Sequence, residues 1–195
     1  MNRVLPVTLS GTRVELRPLE ADDRDGLAAA SSDGELWNLQ YTKVPHPDGM
    51  AEAIGRYHAM RDAGTMVPFT VRRRDTGAIV GITTYCNIDQ LTPRVEIGYT
   101  WYATSVQRTG INAECKRLLL AHAFESLGCI AVEFRTHWLN HRSRGAIARL
   151  GAKQDGVLRS HQLMEDGALR DTVVFSIIAC EWPAVRAELD RRLSR

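Results

Sequence analysis

A glycine-bearing segment near the middle of the chain, Gln107-Arg108-Thr109-Gly110-Ile111-Asn112, has residue types suited to binding an anion at a helix start. The first turn of a helix presents unpaired backbone N–H groups and the positive end of the helix dipole, and together these bind phosphates. Gly110 lets the backbone come close to such a ligand, and Arg108 can add a direct charge. The segment therefore predicts a diphosphate site, although from this motif alone an ordinary strand-to-helix turn is the commoner interpretation.

Other phosphate-binding, nucleophilic and metal-binding motifs find little support. The sequence contains neither G-x-x-x-x-G-K-[ST] nor a G-x-G-x-x-G after a strand, the usual motifs for nucleoside triphosphates and dinucleotides. Cys115 falls on the apolar stripe of a predicted helix, which indicates a buried, inert thiol rather than a nucleophile. His137 and His141 are separated by a strand end and a loop, and no third ligand is near, so we predict no metal site.

The composition is that of an ordinary globular domain. The 195 residues are 44% hydrophobic and 25% charged, and we predict one domain spanning residues 1–195. The formal net charge is only +2, which is too small to indicate the concentrated basic face of a nucleic-acid-binding protein. The four cysteines form no C-x-x-C pair, and we find neither a signal peptide nor an apolar run long enough for a membrane span. We therefore expect a cytoplasmic protein with no nucleic-acid or membrane partner.

The candidate residues must be positioned by a mixed sheet with helices on its faces. Apolar periodicity and turn signals predict a strand, two helices, three strands, a helix, a strand, a short helix, two strands and a carboxyl-terminal amphipathic helix. The predicted strands are 14–17, 67–71, 78–87, 94–102, 130–136, 156–164 and 172–179. A meander followed by a strand–helix–strand crossover implies an α+β fold with a mixed, mostly antiparallel sheet.

The strand 94–102 alternates apolar and polar residues. The apolar positions are Val95, Ile97, Tyr99 and Trp101, and the intervening ones are Glu96, Gly98 and Thr100. Because successive side chains of a strand point to opposite faces, Glu96 should face away from Val95 and Ile97.

Several motifs, together with their order along the chain, resemble those of the GNAT superfamily of acetyl-CoA-dependent acetyltransferases, in particular its RimJ/RimL branch. Residues 107–112 look like the family's Q/R-x-x-G-x-G/A loop. The opening segment Gly11-Thr12-Arg13-Val14-Glu15-Leu16-Arg17-Pro18-Leu19 resembles the first strand of that branch, and Glu96-Ile97-Gly98-Tyr99 its central strand. Asn140-His141-Arg142-Ser143 with Leu150-Gly151 resembles its N-x-x-S…L-G element. One position departs, because the loop usually ends in Gly or Ala where this chain has Asn112.

The resemblance implies acetyl-CoA as co-substrate and a sheet that splays after the central strand, with the pantetheine arm in the gap. Backbone groups of Tyr99, Trp101 and Tyr102 would bind that arm. Asn140 would bond it or bridge towards the phosphates, and Ser143 would lie near the sulfur. The pyrophosphate would be held mainly by backbone amides of Gln107, Arg108, Thr109, Gly110, Ile111 and Asn112.

Two side chains are candidates for the proton transfers of a direct attack by an amine on the thioester. Glu96 is the leading candidate for the base, with an exposed strand residue or a salt bridge as the equally weighted alternative. Ser143 is the first candidate for the acid and Tyr102 a distant second, although a serine in the first turn of a helix is often only a cap.

The acceptor is the least determined part of this hypothesis. We expect it to be bound by the loop 38–48, the first two helices and the late hairpin. Plausible lining residues are Trp37, Tyr41, Lys43, Glu165 and Asp166. The resemblance favours a protein or peptide α-amine, with small-molecule amines and a non-catalytic CoA-binding module as alternatives. A homodimer is a further expectation, because an exposed strand edge or the last helix could pair two copies.

Overall fold

One open sheet of eight strands organises the chain. The computed structural model describes residues 1–2, 4–39, 41–164 and 166–194. Its strands are β1 (Leu9–Ser10), β2 (Val14–Pro18), β3 (Met66–Arg73), β4 (Ile79–Asp89), β5 (Arg94–Tyr102), β6 (Ala131–His137), β7 (Lys153–Leu163) and β8 (Leu169–Ile178). Their order is β1-β2-β3-β4-β5-β6-β8-β7, and only β5 and β6 are parallel. The predicted α+β fold with a mixed, mostly antiparallel sheet is confirmed.

Helices cover both faces of this sheet. They are α1 (Arg24–Ser32), α2 (Met50–Asp62), α3 (Ile111–Ala121), α4 (His141–Ala148) and α5 (Trp182–Leu193). Thr70 of β3 donates to Asp23, just before α1. Its neighbour Phe69 points the other way, against Tyr85, whose hydroxyl donates to the Leu119 carbonyl of α3. Helix α1 therefore lies on one face of the sheet and helix α3 on the other.

A bulge interrupts β5 at Tyr99. Gly98 and Trp101 pair with two residues of β4 that lie only two positions apart, so β5 carries an extra residue between them. Tyr99 has a left-handed φ of 49° and a side chain that is 52% exposed. The prediction that Tyr99 and Trp101 continue the apolar face of Val95 and Ile97 is therefore wrong, because the bulge shifts the alternation by one residue.

The strands β5 and β6 run side by side only at their beginnings. Their register joins Arg94, Val95 and Glu96 to residues 131–133 and ends there. Beyond it, β5 is paired only with β4 and β6 only with β8 in the part of the chain that the structure describes. We call the opening between residues 97–102 and 134–137 the β5–β6 gap, and Glu96 lies at its closed end.

The outer edge of the sheet is formed by β7. Its residues are exposed or half-buried throughout, and it pairs only with β8 among the described strands. The homodimer expected from such an edge stays a prediction. No helix within the described ranges is long and apolar enough to cross a membrane.

Candidate active site

Backbone groups line both sides of the β5–β6 gap. Residues 97–102 and residues 134–137 each pair with a neighbouring strand on their far side, and no described strand pairs with them on the side towards the gap. The carbonyl groups of Tyr102 and His137 have partners of their own, Gln107 Nε2 and the Asn140 N–H. An extended ligand with amide groups can add to such an edge as a further strand does. Tyr99, Trp101 and Tyr102 therefore lie where the resemblance expects the pantetheine arm.

The loop between β5 and α3 leaves a row of backbone N–H groups unpaired. None of the N–H groups from Arg108 to Ala113 has a hydrogen-bond acceptor within the described ranges. Arg108 and Gly110 have left-handed φ values of 67° and 90°, and such turns gather successive N–H groups into an anion-binding concavity. A glycine is favoured at position 110 because of this left-handed φ and not because of crowding, since a Cβ there would meet nothing closer than 3.8 Å. With Ile111 and Asn112 in the first turn of α3, the row fits a diphosphate.

The side chains of this loop mostly brace it. Gln107 Nε2 donates to the Tyr102 carbonyl at the end of β5 (3.0 Å), and its amide oxygen accepts from Arg142 of α4. Thr109 Oγ1 donates to a carbonyl within the loop at 2.6 Å. Arg108, by contrast, has an exposed side chain. Gln107 thus links β5 to α4, and the unpaired backbone N–H groups are the part of the loop left to bind an anion.

The start of α4 separates the roles of Asn140 and Ser143. Asn140 is the N-cap, because its Oδ1 accepts from the Ser143 N–H at 2.9 Å. Ser143 is therefore not the cap, and its hydroxyl is left for another role. The amide nitrogen Nδ2 of Asn140 remains to donate to a ligand, while its oxygen accepts from Ser143.

Glu96 is a buried carboxylate, so the alternative of an exposed strand residue is wrong. It is 7% exposed. Its Oε2 accepts from Asn87 Nδ2 at 2.6 Å and lies 3.5 Å from Arg135 Nε. Burial raises the pKa of Glu96, opposed by the bond from Asn87 and the charge of Arg135. Its Oε1 faces Gly98, where a Cβ would lie 2.9 Å away, so only glycine leaves this oxygen unobstructed.

Charged residues that the sequence analysis did not single out surround Glu96. Glu133 lies beside it in register on β6 and pairs with Arg94 and, at 2.9 Å, with Arg135. Arg170 of β8 interacts electrostatically with Glu96 from across the gap. In the sequence these residues are recognisable only as charged residues within predicted strands. Exposed strands carry charged residues equally often, so the sequence does not distinguish them.

Aromatic residues stand at the open end of the gap. Tyr99 contacts Tyr57 of α2 edge to face, with ring centroids 6.2 Å apart. Tyr41 packs against His137 at the end of β6, at 4.6 Å. Lys43 interacts electrostatically with Tyr99. Tyr41, Lys43 and helix α2 thus lie near the open end of the gap. That this is the acceptor side stays a prediction.

For the other predicted lining residues of the acceptor site, the structure gives only local contacts or none. Trp37 packs against His46, and Asp166 accepts from Ala168 within its own hairpin turn. Glu165 lies outside the described residues.

Three further side chains bear on the chemistry. Cys115 is fully buried and burial raises its pKa to about 12, which agrees with an inert thiol. Burial also raises the pKa of Tyr102 well above its usual value, and its hydroxyl lies beside Cys115 rather than in the gap. Trp101 Nε1 is buried with no hydrogen-bond partner in the described part of the chain, so this donor remains available to a ligand. The described residues contain no group of three or more side chains that could hold a metal ion.

Glu114 anchors the start of α3 to the beginning of β2. Its carboxylate is buried and accepts from the backbone N–H groups of Thr12, Arg13 and Val14 at 2.8–2.9 Å. Gly11 permits this approach, because a Cβ there would lie 2.7 Å from Glu114 Cδ. The Glu114 carboxylate thus fixes the first turn of α3, which carries part of the row of unpaired N–H groups, to the beginning of β2.

We expect Glu114→Gln to lower the free energy of unfolding by about 2 kcal/mol, because the amide nitrogen must face a buried N–H group. Thermal unfolding measures this as a fall in Tm of roughly 5 °C. Glu52→Gln, which removes an exposed carboxylate paired with Arg56, is the control and should change Tm by about 1 °C or less. Equal small changes in the two variants would contradict the anchoring role.

Comparison with known proteins supports the reading of these motifs. Residues 13–153 match the family model described as the acetyltransferase (GNAT) domain. A Bacillus subtilis protein named "Putative ribosomal N-acetyltransferase YdaF" is 32% identical over 106 residues, which cover 54% of this chain and 57% of that protein. The match thus spans little more than half of that relative.

Two solved structures share the whole fold. A GCN5-related N-acetyltransferase from Brucella melitensis superposes with a TM-score of 0.89 at 26% identity, over 98% of this chain and 87% of that one. RimJ of Mycobacterium smegmatis, in complex with CoA-disulfide, superposes with a TM-score of 0.82 at 22% identity, over 96% of this chain and 95% of that one.

Proposed function

Because the chain belongs to the GNAT family of acetyltransferases, we propose that it transfers the acetyl group of acetyl-CoA to a primary amine, namely the α-amine of a protein or peptide N-terminus. One observation carries the proposal. The unpaired N–H groups from Arg108 to Ala113 adjoin a gap between two unpaired strand edges, and a buried carboxylate closes that gap.

The residues divide between holding the co-substrate and moving protons. The backbone of residues 108–113 holds the diphosphate, with Arg108 adding charge from outside. The edge of β5 from Tyr99 to Tyr102 bonds the pantetheine arm, and Asn140 Nδ2 donates to it. The N–H groups of residues 108–113 and Asn140 Nδ2 have no hydrogen-bond partner in the described residues, so their bonds to the co-substrate need not replace existing ones. The Tyr102 carbonyl already accepts from Gln107 Nε2.

When bound, acetyl-CoA supplies a thioester carbonyl that an amine can attack. Glu96 takes a proton from the acceptor's ammonium group, directly or through a water, and so frees the nitrogen lone pair. Backbone N–H groups of β5 stabilise the negative charge that develops on the carbonyl oxygen. Ser143 donates its hydroxyl proton to the departing sulfur and regains a proton from the second N–H that the attacking nitrogen loses, through water. With Cys115 buried, the attack is direct, and positioning of the two substrates supplies much of the rate.

Two observations support a peptide as the acceptor. The Bacillus subtilis relative is named for ribosomal N-acetylation, and the open end of the gap is flanked by Tyr41 and Tyr99. Such aromatic walls suit the backbone of an extended peptide, whose α-amine would point towards Glu96.

The test is release of free thiol when the protein meets acetyl-CoA and a panel of peptides, amino acids, polyamines and amine antibiotics. We expect release with peptides and an acetyl group on their α-amine by mass spectrometry. Acetylation of small amines alone would replace the proposed acceptor.

Binding is measured separately from turnover. CoA at a hundredfold excess over Kd should raise the apparent free energy of unfolding by about 2.7 kcal/mol. This shift together with background thiol release from every amine would indicate a CoA-binding module instead of an enzyme, and no shift at all would contradict the proposed co-substrate.

A further inference from the structure

Arg170 lies on the face of the sheet that the acceptor must approach. Thr172 of β8 pairs with His137, the last residue of β6. Arg170 is two residues further along β8, so it shares that face and extends past the end of β6. Its guanidinium influences both Glu96 and Tyr99, which belong to the opposite wall of the gap. The side chain therefore reaches towards the space beside the proposed base.

The Arg170 guanidinium has a donor that the protein does not satisfy. The side chain is half-buried, and its Nε is fully buried with no hydrogen-bond partner in the described residues. Burial lowers the pKa of Arg170, and the charge of Glu96 only partly offsets this. A desolvated and unpaired guanidinium N–H is costly, which indicates that a ligand atom completes it.

The carboxylates of the gap are already engaged by other residues. Glu133 pairs with Arg94 and Arg135. Glu96 accepts from Asn87 and lies 3.5 Å from Arg135. Two carboxylates thus face two other arginines, and Arg170 remains as a positive charge in excess.

The acidic neighbour of Arg170 does not remove this excess. Asp171 accepts from Arg159 Nε at 2.5 Å and from the Ser160 N–H at 2.7 Å. Because adjacent residues of a strand point to opposite faces, Asp171 is directed away from the gap. The charge balance of the acceptor region therefore calls for an anion.

We infer that Arg170 binds a carboxylate of the acceptor, a few ångströms from the amine that is acetylated, an inference that rests on the proposed function. The Nε and one Nη of an arginine form a planar fork that matches the two oxygens of a carboxylate. An acidic residue next to the amino terminus of a peptide supplies this group, and so does the α-carboxylate of a free amino acid. A polycationic acceptor lacks it and would meet repulsion instead.

Matched acceptors separate these sources. The first pair is alanyl-glutamyl-alanine amide and alanyl-glutaminyl-alanine amide, which differ in one side-chain charge. The second pair is alanine and alanine amide, which differ in the α-carboxylate, with rates expressed per neutral amine. Each acceptor is assayed by thiol release with the wild-type protein, Arg170→Met and Arg170→Lys. Arg186→Met on α5, which removes the same charge from a surface ion pair, is the control.

We expect the wild-type protein to prefer one acidic acceptor over its neutral partner by about tenfold to a hundredfold in kcat/KM. The pair that shows the preference identifies the source of the carboxylate. Arg170→Met should abolish the preference by raising KM for the acidic acceptor, with kcat/KM for the neutral one kept within about threefold. Arg170→Lys should restore part of it, and Arg186→Met should leave it unchanged.

Two outcomes would overturn the assignment. If the wild-type protein acetylates acidic and neutral acceptors equally, no carboxylate is read. If Arg170→Met reduces both by the same factor, Arg170 acts on Glu96 or on the fold and not on the acceptor. In either case acetylation of neutral amines remains measurable, whereas failure of the proposed function would abolish thiol release from every amine.

Discussion

Glu96→Gln is expected to lower kcat by about a hundredfold to ten-thousandfold, the range in which a positioned general base contributes. The substitution keeps the size of the side chain and the hydrogen bond from Asn87 Nδ2, whose acceptor becomes an amide oxygen. It removes the ability to take up a proton, together with the negative charge that faces Arg135 and Arg170. Since Glu96 lies at the closed end of the gap and the N–H row begins beyond β5, Kd for CoA should change by less than about twofold.

The pH profile gives an independent readout. Burial raises the pKa of Glu96, and the base works only when it is deprotonated. Wild-type kcat should therefore fall as the pH drops through the raised pKa of Glu96, above the ordinary range of a glutamate. Glu96→Gln should lose this acidic limb, because the group that titrates has gone.

Glu133→Gln is the matched comparison, since Glu133 is a buried carboxylate beside Glu96 on the next strand. Its partners are arginines, so we expect a smaller loss in kcat, under about tenfold, and a retained acidic limb. Equal losses in the two variants would show that the gap needs its charge balance rather than one base. An unchanged kcat in Glu96→Gln would remove Glu96 from the mechanism.

The sequence predicts the elements of this fold better than their contacts. Apolar alternation locates the long strands, and glycine and proline locate the turns, because these signals are local. The first strand, β1, is not predicted, because its two residues are too few to show an alternation of apolar and polar side chains. The diphosphate loop needs more than local signal, because a glycine before a helix is common and only the order of several motifs makes it specific.

The contacts around Glu96 depend on how distant strands meet. Asn87 and Arg135 bond it from β4 and β6, and no spacing in the sequence joins them. The bulge at Tyr99 also has no local signal, because tyrosine does not favour a left-handed φ. Arg170 is the clearest case. It was not among the predicted lining residues of the acceptor, and the structure adds it to this region from β8.

Lys116 is a buried cation next to the bulge of β5. It lies on α3 with 6% exposure, and its Nζ donates to Thr100 Oγ1 at 2.7 Å, next to the β5 bulge, and towards Thr83 Oγ1 at 3.4 Å. Burial lowers the pKa of Lys116 to about 8 from its usual 10.5, against the charge of Glu96. The ammonium group is thus held by hydroxyls rather than by a carboxylate.

Lys116→Met should raise the free energy of unfolding at pH 7 by about 1–3 kcal/mol, because a buried cation is replaced by an apolar chain of similar length. The hydroxyls left behind keep partners, since Thr83 and Thr100 bond each other at 2.8 Å and Thr100 donates to the Gly98 carbonyl. Urea unfolding at pH 7 measures the difference. The control is Arg117→Met on the same helix, which breaks the ion pair with Asp190 and should lower stability slightly.

The pH dependence fixes the origin of this gain. Below pH 8 the folded and unfolded forms of Lys116 both carry the proton, and the burial penalty is complete. Between about 8 and 10.5 the folded form loses its proton first, so stability attributable to Lys116 rises with pH by roughly 3 kcal/mol.

Thiols also titrate in this range when the chain unfolds, and the difference between wild type and Lys116→Met removes their contribution. That difference should shrink from pH 8 to pH 10.5, whereas the difference for Arg117→Met should stay constant. A variant less stable than the wild type at pH 7 would show that the bonds from Nζ to the two threonines outweigh desolvation. Lys116 would then stabilise the bulge of β5 as a charged group, and the pH dependence would reverse in sign.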